Sequence, residues 1–205
     1  MINQSNNEVL SLYESRLEKY GNSFKTVGWG SKEDQFLRFD MLFREININN
    51  KSILDLGCGL GDMVEYLHSK KSDNFFYTGV DLSEKLIKQA KINFPHKNVK
   101  FLVNDVLKDK LPRADIVVAS GTLTYNISEN KENIQNILER FFLISNDIVS
   151  VNFMSSYVDF ELEKNLHFSP EKIFSSAKNI TNWVTIFHDY PLFEFTVHLK
   201  KQETL

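Results

Sequence analysis

Ile53-Leu54-Asp55-Leu56-Gly57-Cys58-Gly59-Leu60-Gly61-Asp62 is the stretch whose reading decides the fold. A short apolar run enters a glycine-rich turn. Asp62 then opens a helical pattern carrying Met63, Val64, Tyr66 and Leu67. Strand, tight turn and helix in direct succession are the start of a βαβ unit. Glycine lets the chain turn sharply and lets a ligand approach the main chain. The start of the following helix offers free N–H groups and the positive end of a dipole.

The same alternation continues down the chain. Phe75–Val80, Val99–Val103, Asp115–Ala119 and Ile148–Met154 read as further strands. Helical stretches lie between them: one capped by Ser83 and carrying Leu86, Ile87 and Ala90, another over Lys131–Phe142. Parallel neighbours need long crossovers, and right-handed crossovers build a doubly wound sheet. Trp183–His188 and Phe193–Leu199 both alternate like strands and are separated only by Asp189-Tyr190-Pro191-Leu192, so they are expected to form an antiparallel hairpin. The fold class expected is therefore α/β, Rossmann-like and doubly wound, with a seven-stranded mostly parallel sheet ending in that hairpin. Upstream, Asn7–Lys19 reads as a helix, Thr26–Ser31 as a loop, and Ser31 as the cap of a helix running to about Ile46. Residues 1–45 are expected to form a helical cap on a core of residues 46–205.

The glycines are spaced G-x-G-x-G, not G-x-G-x-x-G as in dinucleotide-binding folds. Asp55 stands before the first of them, where a carboxylate repels a pyrophosphate and attracts an ammonium group. That combination points to an amino-acid-bearing nucleoside. Asp81 ends the second strand, placed to accept ribose hydroxyls. Asn104-Asp105 ends the third, with Asp105 placed to receive an adenine amino group. For Asp105 a helix-capping role is the competing reading.

Taken in order, the glycine motif, Asp81 and Asn104-Asp105 resemble a class I S-adenosylmethionine (SAM)-dependent methyltransferase. The resemblance implies SAM as cofactor. Asp55 and the loop of Gly57, Cys58, Gly59 and Gly61 would hold its methionine portion, with Asp62 a further cofactor contact. Asp81 would hold the ribose and Asp105 the adenine, with Leu82 and Val106 flanking the ring and Asn104 and Ser120 as further cofactor contacts. Arg38, ahead of the first strand, would pair with the SAM carboxylate; a solvated helix arginine is the competing reading. Cys58 is a common occupant of this loop, so a reactive thiol is disfavoured.

The fourth strand leads into Ser120-Gly121-Thr122-Leu123-Thr124-Tyr125-Asn126, beside the place of the methyl group. It lacks the proline of the D/N/S-P-P-aromatic motif of amino-modifying DNA methyltransferases, which disfavours base methylation. Tyr125 and Asn126 read either as acceptor contacts or as a packed tyrosine and a turn residue. Trp29, between two glycines, reads as a lid or acceptor contact, or else as a packing anchor, with Gln35 and Arg38-Phe39 beside it. His188 and Asp189, in the terminal turn, are the candidates for a general base, alongside Tyr125 as a third catalytic candidate. A histidine satisfied by its turn is the alternative for His188. His167 and Tyr190 complete the candidate acceptor contacts.

Composition bounds the rest. With 205 residues, 42% hydrophobic and 25% charged, the chain can bury a core and is neither disordered nor a coiled coil. A net charge of −3, from 24 Lys+Arg against 27 Asp+Glu, and the lack of a basic stripe argue against nucleic-acid partners. No apolar run suits a membrane span, Met1–Asn7 lacks a leader pattern, and one cysteine allows no internal disulfide, so the expected compartment is the cytoplasm. No metal-ligand cluster stands out. The function expected is methyl transfer to a small polar acceptor. Short methyltransferases with a G-W-G cap and an H-D-Y-P turn resemble those of surface-glycan pathways, which points to an oxygen of a sugar or sugar nucleotide. A non-catalytic SAM-binding partner subunit and a protein methyltransferase are the alternatives. The oligomeric state is open.

Overall fold

The computed structural model describes residues 4–125 and 133–202, with side chains from residue 7 onward. The elements in chain order are α1 (Gln4–Tyr20), α2 (Lys32–Leu42), β1 (Lys51–Leu56), α3 (Asp62–Lys70), β2 (Phe75–Asp81), α4 (Glu84–Asn93), β3 (Val99–Val103), β4 (Ala114–Ala119), α5 (Ile134–Ile144), β5 (Ser145–Ser155), the two-residue β6 (His167–Phe168), α6 (Pro170–Lys178), β7 (Trp183–Phe187) and β8 (Glu194–Lys200).

The sheet runs in the order β3-β2-β1-β4-β5-β8-β7, with β6 added alongside β5. The first five strands of that path pair in parallel. β8 is antiparallel to both β5 and β7. The doubly wound, mostly parallel sheet with a terminal antiparallel pair is the architecture expected from the sequence. Two details differ from it. β6 adds a short eighth strand, and the expected strand over Ile148–Met154 extends to Ser145–Ser155.

Alternation along the strands separates two apolar layers. Leu54, Leu56, Val117, Val149 and Val151 pack against Leu138 and Phe141 of α5 and Ile173 of α6. Ile53, Tyr77, Phe101 and Ile116 face Leu42 of α2, Tyr66 and Leu67 of α3 and Ile87 of α4. Burying both faces suits parallel strands, whose residues are apolar on either side. Ser31, Ser83 and Ser169 cap α2, α4 and α6 by accepting backbone N–H bonds, as small hydroxyl residues at helix starts do.

α2 is anchored by its end. The Leu42 carbonyl accepts from the Ser150 hydroxyl at 2.8 Å and from the His198 ring Nε2–H at 3.1 Å. Both donors come from the middle of the sheet. Of residues 1–45, α2 therefore belongs to the helical layer, with Phe39, Leu42 and Phe43 in the core. α1 and the following loop are the parts that lie over the strand ends.

Strands β2 and β3 leave β1 on one side and β4 on the other. The crevice at such a switch point, outside the carboxyl ends of the strands, is where open α/β sheets bind ligands.

Candidate active site

A cavity of about 500 Å³ occupies that crevice, within the range of small-molecule sites. Its floor is the turn after β1 and the ends of β2, β3 and β4. Val9, Leu10, Tyr13 and Arg16 of α1 roof it, together with Val27, Gly28 and Trp29.

The glycine turn is built by contacts on every side. Gly57 has φ +80°, and a Cβ there would stand 2.5 Å from the Thr122 hydroxyl oxygen, so two loops close together only over a bare backbone. Thr122 in turn donates its hydroxyl to the Leu56 carbonyl. The Gly57 and Cys58 N–H groups both donate to the Val80 carbonyl, at 2.7 and 3.0 Å, and Gly61 N–H to the Cys58 carbonyl at 2.9 Å. Gly59 N–H donates to Asp81 Oδ2 at 2.9 Å. The free N–H groups expected of this turn are thus largely taken within the protein at these four positions. A turn whose amides are already engaged is a poor cradle for a pyrophosphate. Ligand recognition falls to the side chains around it.

Those side chains stand at successive strand ends. Asp55, nearly fully buried, accepts from the Tyr77 hydroxyl at 2.5 Å through Oδ2, while its Oδ1 has no partner. Burial pushes its carboxyl up to about 7, against the pull of the Tyr77 bond and with help from the Asp81 and Asp62 charges. Gln35 donates to Asp62 Oδ2 at 2.8 Å, and its own buried carbonyl oxygen, Oε1, lacks a partner. Both residues line the cavity. Unpartnered buried acceptors are costly, and two at one end of a cavity suit a ligand that brings several donors, as an ammonium does. Asp81 is likewise pushed up by burial, opposed by the Ser83 and Gly59 N–H bonds it accepts. Asp105 accepts the Leu107 N–H at 2.9 Å in a local turn that no helix follows, so it caps none, and it lines the cavity.

Arg38 lines the cavity over Trp29, its guanidinium carbon 4.0 Å from the ring centroid. Its Nε donates to Glu194 at 2.7 Å, and Nη2 bonds the second carboxylate oxygen. Asn152 braces this pair, donating to Glu194 at 2.9 Å while accepting the Gly121 N–H at 2.8 Å. Arg38 is therefore a buried, paired residue and not a solvated one. Its Nη1 points toward Gly121, where a Cβ would stand 2.7 Å away. Cys58 is buried, and burial pushes its thiol up, away from the reactive thiolate.

The structure gathers Asp55, Gly57, Cys58, Gly59, Asp62, Asp81, Leu82, Asn104, Asp105, Val106, Ser120, Arg38, Trp29 and Tyr125 into the lining of this one cavity. Gly61 stands behind it, against Phe101. Asn126 lies outside the described residues. His188, Asp189, Tyr190 and His167, expected as base or acceptor contacts, are not among the residues that line this cavity. β8 and β5 separate the end of β7 from β4. His188 is exposed, its ring 6.0 Å from that of Tyr157. Asp189 pairs with Arg44 at 2.6 Å, which holds its carboxyl below the usual range. Tyr190 is buried, its hydroxyl 3.1 Å from that of Thr196. His167 is buried in β6, donating Nδ1–H to the Ser155 carbonyl at 2.7 Å.

Glu194, Arg16, Lys164 and Asn165 line the cavity although nothing in their local sequence marks them. The apolar face of α1, with Val9, Leu10 and Tyr13, was the one available signal, and it names no partner.

Residues 48–196 match the sequence family described as "Methyltransferase domain". A Mycobacterium tuberculosis protein provisionally named a methyltransferase is 31% identical over 160 residues, 73% of this chain and 93% of that protein. The malonyl-[acyl-carrier protein] O-methyltransferase of Bacillus cereus is 29% identical over 155 residues, 74% of this chain and 54% of that one. Among solved structures, magnesium protoporphyrin IX methyltransferase from Synechocystis with bound SAH superposes with TM-score 0.67 at 11% identity, covering 96% of this chain and 95% of that one.

Proposed function

The chain belongs to the methyltransferase-domain family, and from that premise we propose that its cavity binds SAM and passes the methyl group to a small polar acceptor. The observation that carries this reading is the row of carboxylates, Asp55, Asp81 and Asp105, at the ends of β1, β2 and β3 around one cavity, with Asp55 Oδ1 and Gln35 Oε1 left as buried acceptors. Asp55 and Gln35 receive the ammonium, the free edge of Arg38 the carboxylate, Asp81 the ribose, and Asp105 the adenine between Leu82 and Val106. SAM, when bound, supplies an electrophilic sulfonium methyl.

The chain's own contribution is placement and exclusion of water. Holding two reactants in line is worth about 7–11 kcal/mol in favourable cases. α1 and Trp29 roof the cavity, and Thr124, Tyr125 and Asn165 offer hydrogen bonds at the acceptor end. Among the described residues no histidine lines the cavity, so orientation rather than a histidine base carries the rate. Oxygen is the atom we favour, in a sugar or sugar nucleotide, a class suited to that polar lining.

The test is incubation with methyl-labelled SAM and a cell extract split by size, with SAM binding measured separately by calorimetry. The expected result is saturable SAM binding and label in the small-molecule fraction. Absence of SAM binding overturns the reading. Label on macromolecules instead moves the acceptor to a protein or RNA.

A further inference from the structure

Two arginines line the cavity, and the protein treats them differently. Arg38 is matched by Glu194. Arg16 is matched by no carboxylate among the described residues. Its Nη1 donates to the Tyr125 hydroxyl at 3.0 Å, and its guanidinium carbon lies 5.7 Å from the Tyr13 ring centroid. The acidic residues nearest in sequence are drawn away, Glu14 and Glu18 both pairing with Lys85 at 3.0 and 3.3 Å. A half-buried guanidinium that faces a cavity beside two tyrosines, with no carboxylate partner among the described residues, has donors to spare, and its planar fork fits carboxylate and phosphate oxygens.

Tyr125 joins this cation to a second one. Its backbone forms a bridge with Asn165, and the Leu166 N–H donates to the Thr124 carbonyl at 2.7 Å. That pairing fixes the segment carrying Lys164, an exposed residue that also lines the cavity. The acidic lining residues come from other elements. Asp55, Asp62, Asp81 and Asp105 stand at the β1–β3 ends and the start of α3, and Glu194 is neutralised. The carboxylates follow the strand ends, the two cations come from α1 and from the segment paired with Tyr125, and Asp81 is the carboxylate whose charge reaches Tyr13.

We infer that the acceptor carries an acidic group, a carboxylate or a phosphate, held by Arg16 and Lys164 beside Tyr125. This rests on the reading that the cavity takes SAM and an acceptor together. The group acts as the handle by which the acceptor is oriented.

The test is calorimetry at constant ionic strength. SAH is titrated into the protein first; then malonate and inorganic phosphate are titrated, separately, into SAH-loaded and free protein. The expected result is saturable binding of at least one anion. It weakens tenfold or more in the double variant R16Q/K164Q, is retained in R16K/K164R, and leaves SAH affinity within twofold in both. Preference for malonate assigns a carboxylate handle, and preference for phosphate a phosphate one. Thermal melting confirms that the variants fold. No saturable anion binding by the unaltered protein, or equal binding by R16Q/K164Q, overturns the inference. So does a tenfold loss of SAH affinity in the R16Q single variant, because Arg16 then serves the cofactor. Failure of the unaltered protein to bind SAH counts instead against the functional reading, and the titration of free protein still decides the anion site.

Discussion

Asp55 concentrates the conflict between stability and binding in one side chain. Its carboxyl, about 7 in the folded protein against 3.8 in an ordinary environment, holds its proton over a window where the unfolded chain has lost it. Its contribution to stability is therefore complete below about 3.8 and is lost as pH rises through about 7. Asp55→Asn keeps an acceptor for the Tyr77 hydroxyl and removes the charge. We expect D55N to melt higher than the unaltered protein at pH 8 and to bind SAM at least tenfold more weakly, by thermal melts and calorimetry. We also expect SAM binding by the unaltered protein to strengthen from pH 6 to 8 as Asp55 ionises, and D55N to lose that part of the slope. Glu194 is the second residue where charge decides. Glu194→Ala strands the Arg38 guanidinium in a buried place, with side-chain exposures of 10% and 8% for the pair. Removing one partner of such a pair costs about 3–5 kcal/mol, which urea unfolding reads directly.

At the scale of elements, a buried histidine shares with Ser150 the anchoring of the end of α2. His198 reaches from β8 to the last carbonyl of α2, and burial depresses its ring to about 4. The unfolded chain takes up a proton near 6.5 that the folded chain refuses. Stability from this group is present above about 6.5 and is lost as pH falls toward 4, the opposite sense to Asp55. His198→Gln keeps a donor for the Leu42 carbonyl and cannot titrate. Its melting temperature is expected to fall less than that of the unaltered protein between pH 6.5 and 4.5. Because α2 carries Gln35 and Arg38, a variant that frees its end, Ser150→Ala with His198→Ala, is expected to weaken SAM binding as well as stability. The strands and most helices were legible from periodicity and capping serines. The acceptor end was not: β8 comes last in sequence yet inserts between β5 and β7, and this carries His188 away from the cavity.

For the whole molecule, the roof is the weakly held part. α1 touches the rest through ion pairs of Glu14 and Glu18 with the exposed Lys85, through the Ser83 hydroxyl donating to Glu14, through Arg16 on Tyr125, and through the Tyr13 ring against Tyr125. Exposed pairs of this kind contribute about 0–1 kcal/mol each and are screened by salt. Backbone amides of α1 are expected to exchange with deuterium well before those of β1 and β4, and to slow when SAM is bound. Equal protection of α1 and the central strands without ligand would contradict a roof that opens on its own. Across the described residues no helix is long and apolar enough to cross a membrane.

The local order of apolar runs and turns along residues 53–199 was enough to specify the sheet and its crossovers, and the glycines and carboxylates along residues 53–105 the acidic lining of the cavity. Each of those features depends on neighbours in the chain: a strand, its turn, and the residue that ends it. The pairing of Arg38 with Glu194, the anchoring of α2 by His198, and the meeting of Arg16 with Tyr125 span 109 to 156 residues. No periodicity encodes contacts of that separation. They arise when packing two apolar layers onto one sheet brings distant polar groups together and leaves each to find a partner or to wait for a ligand.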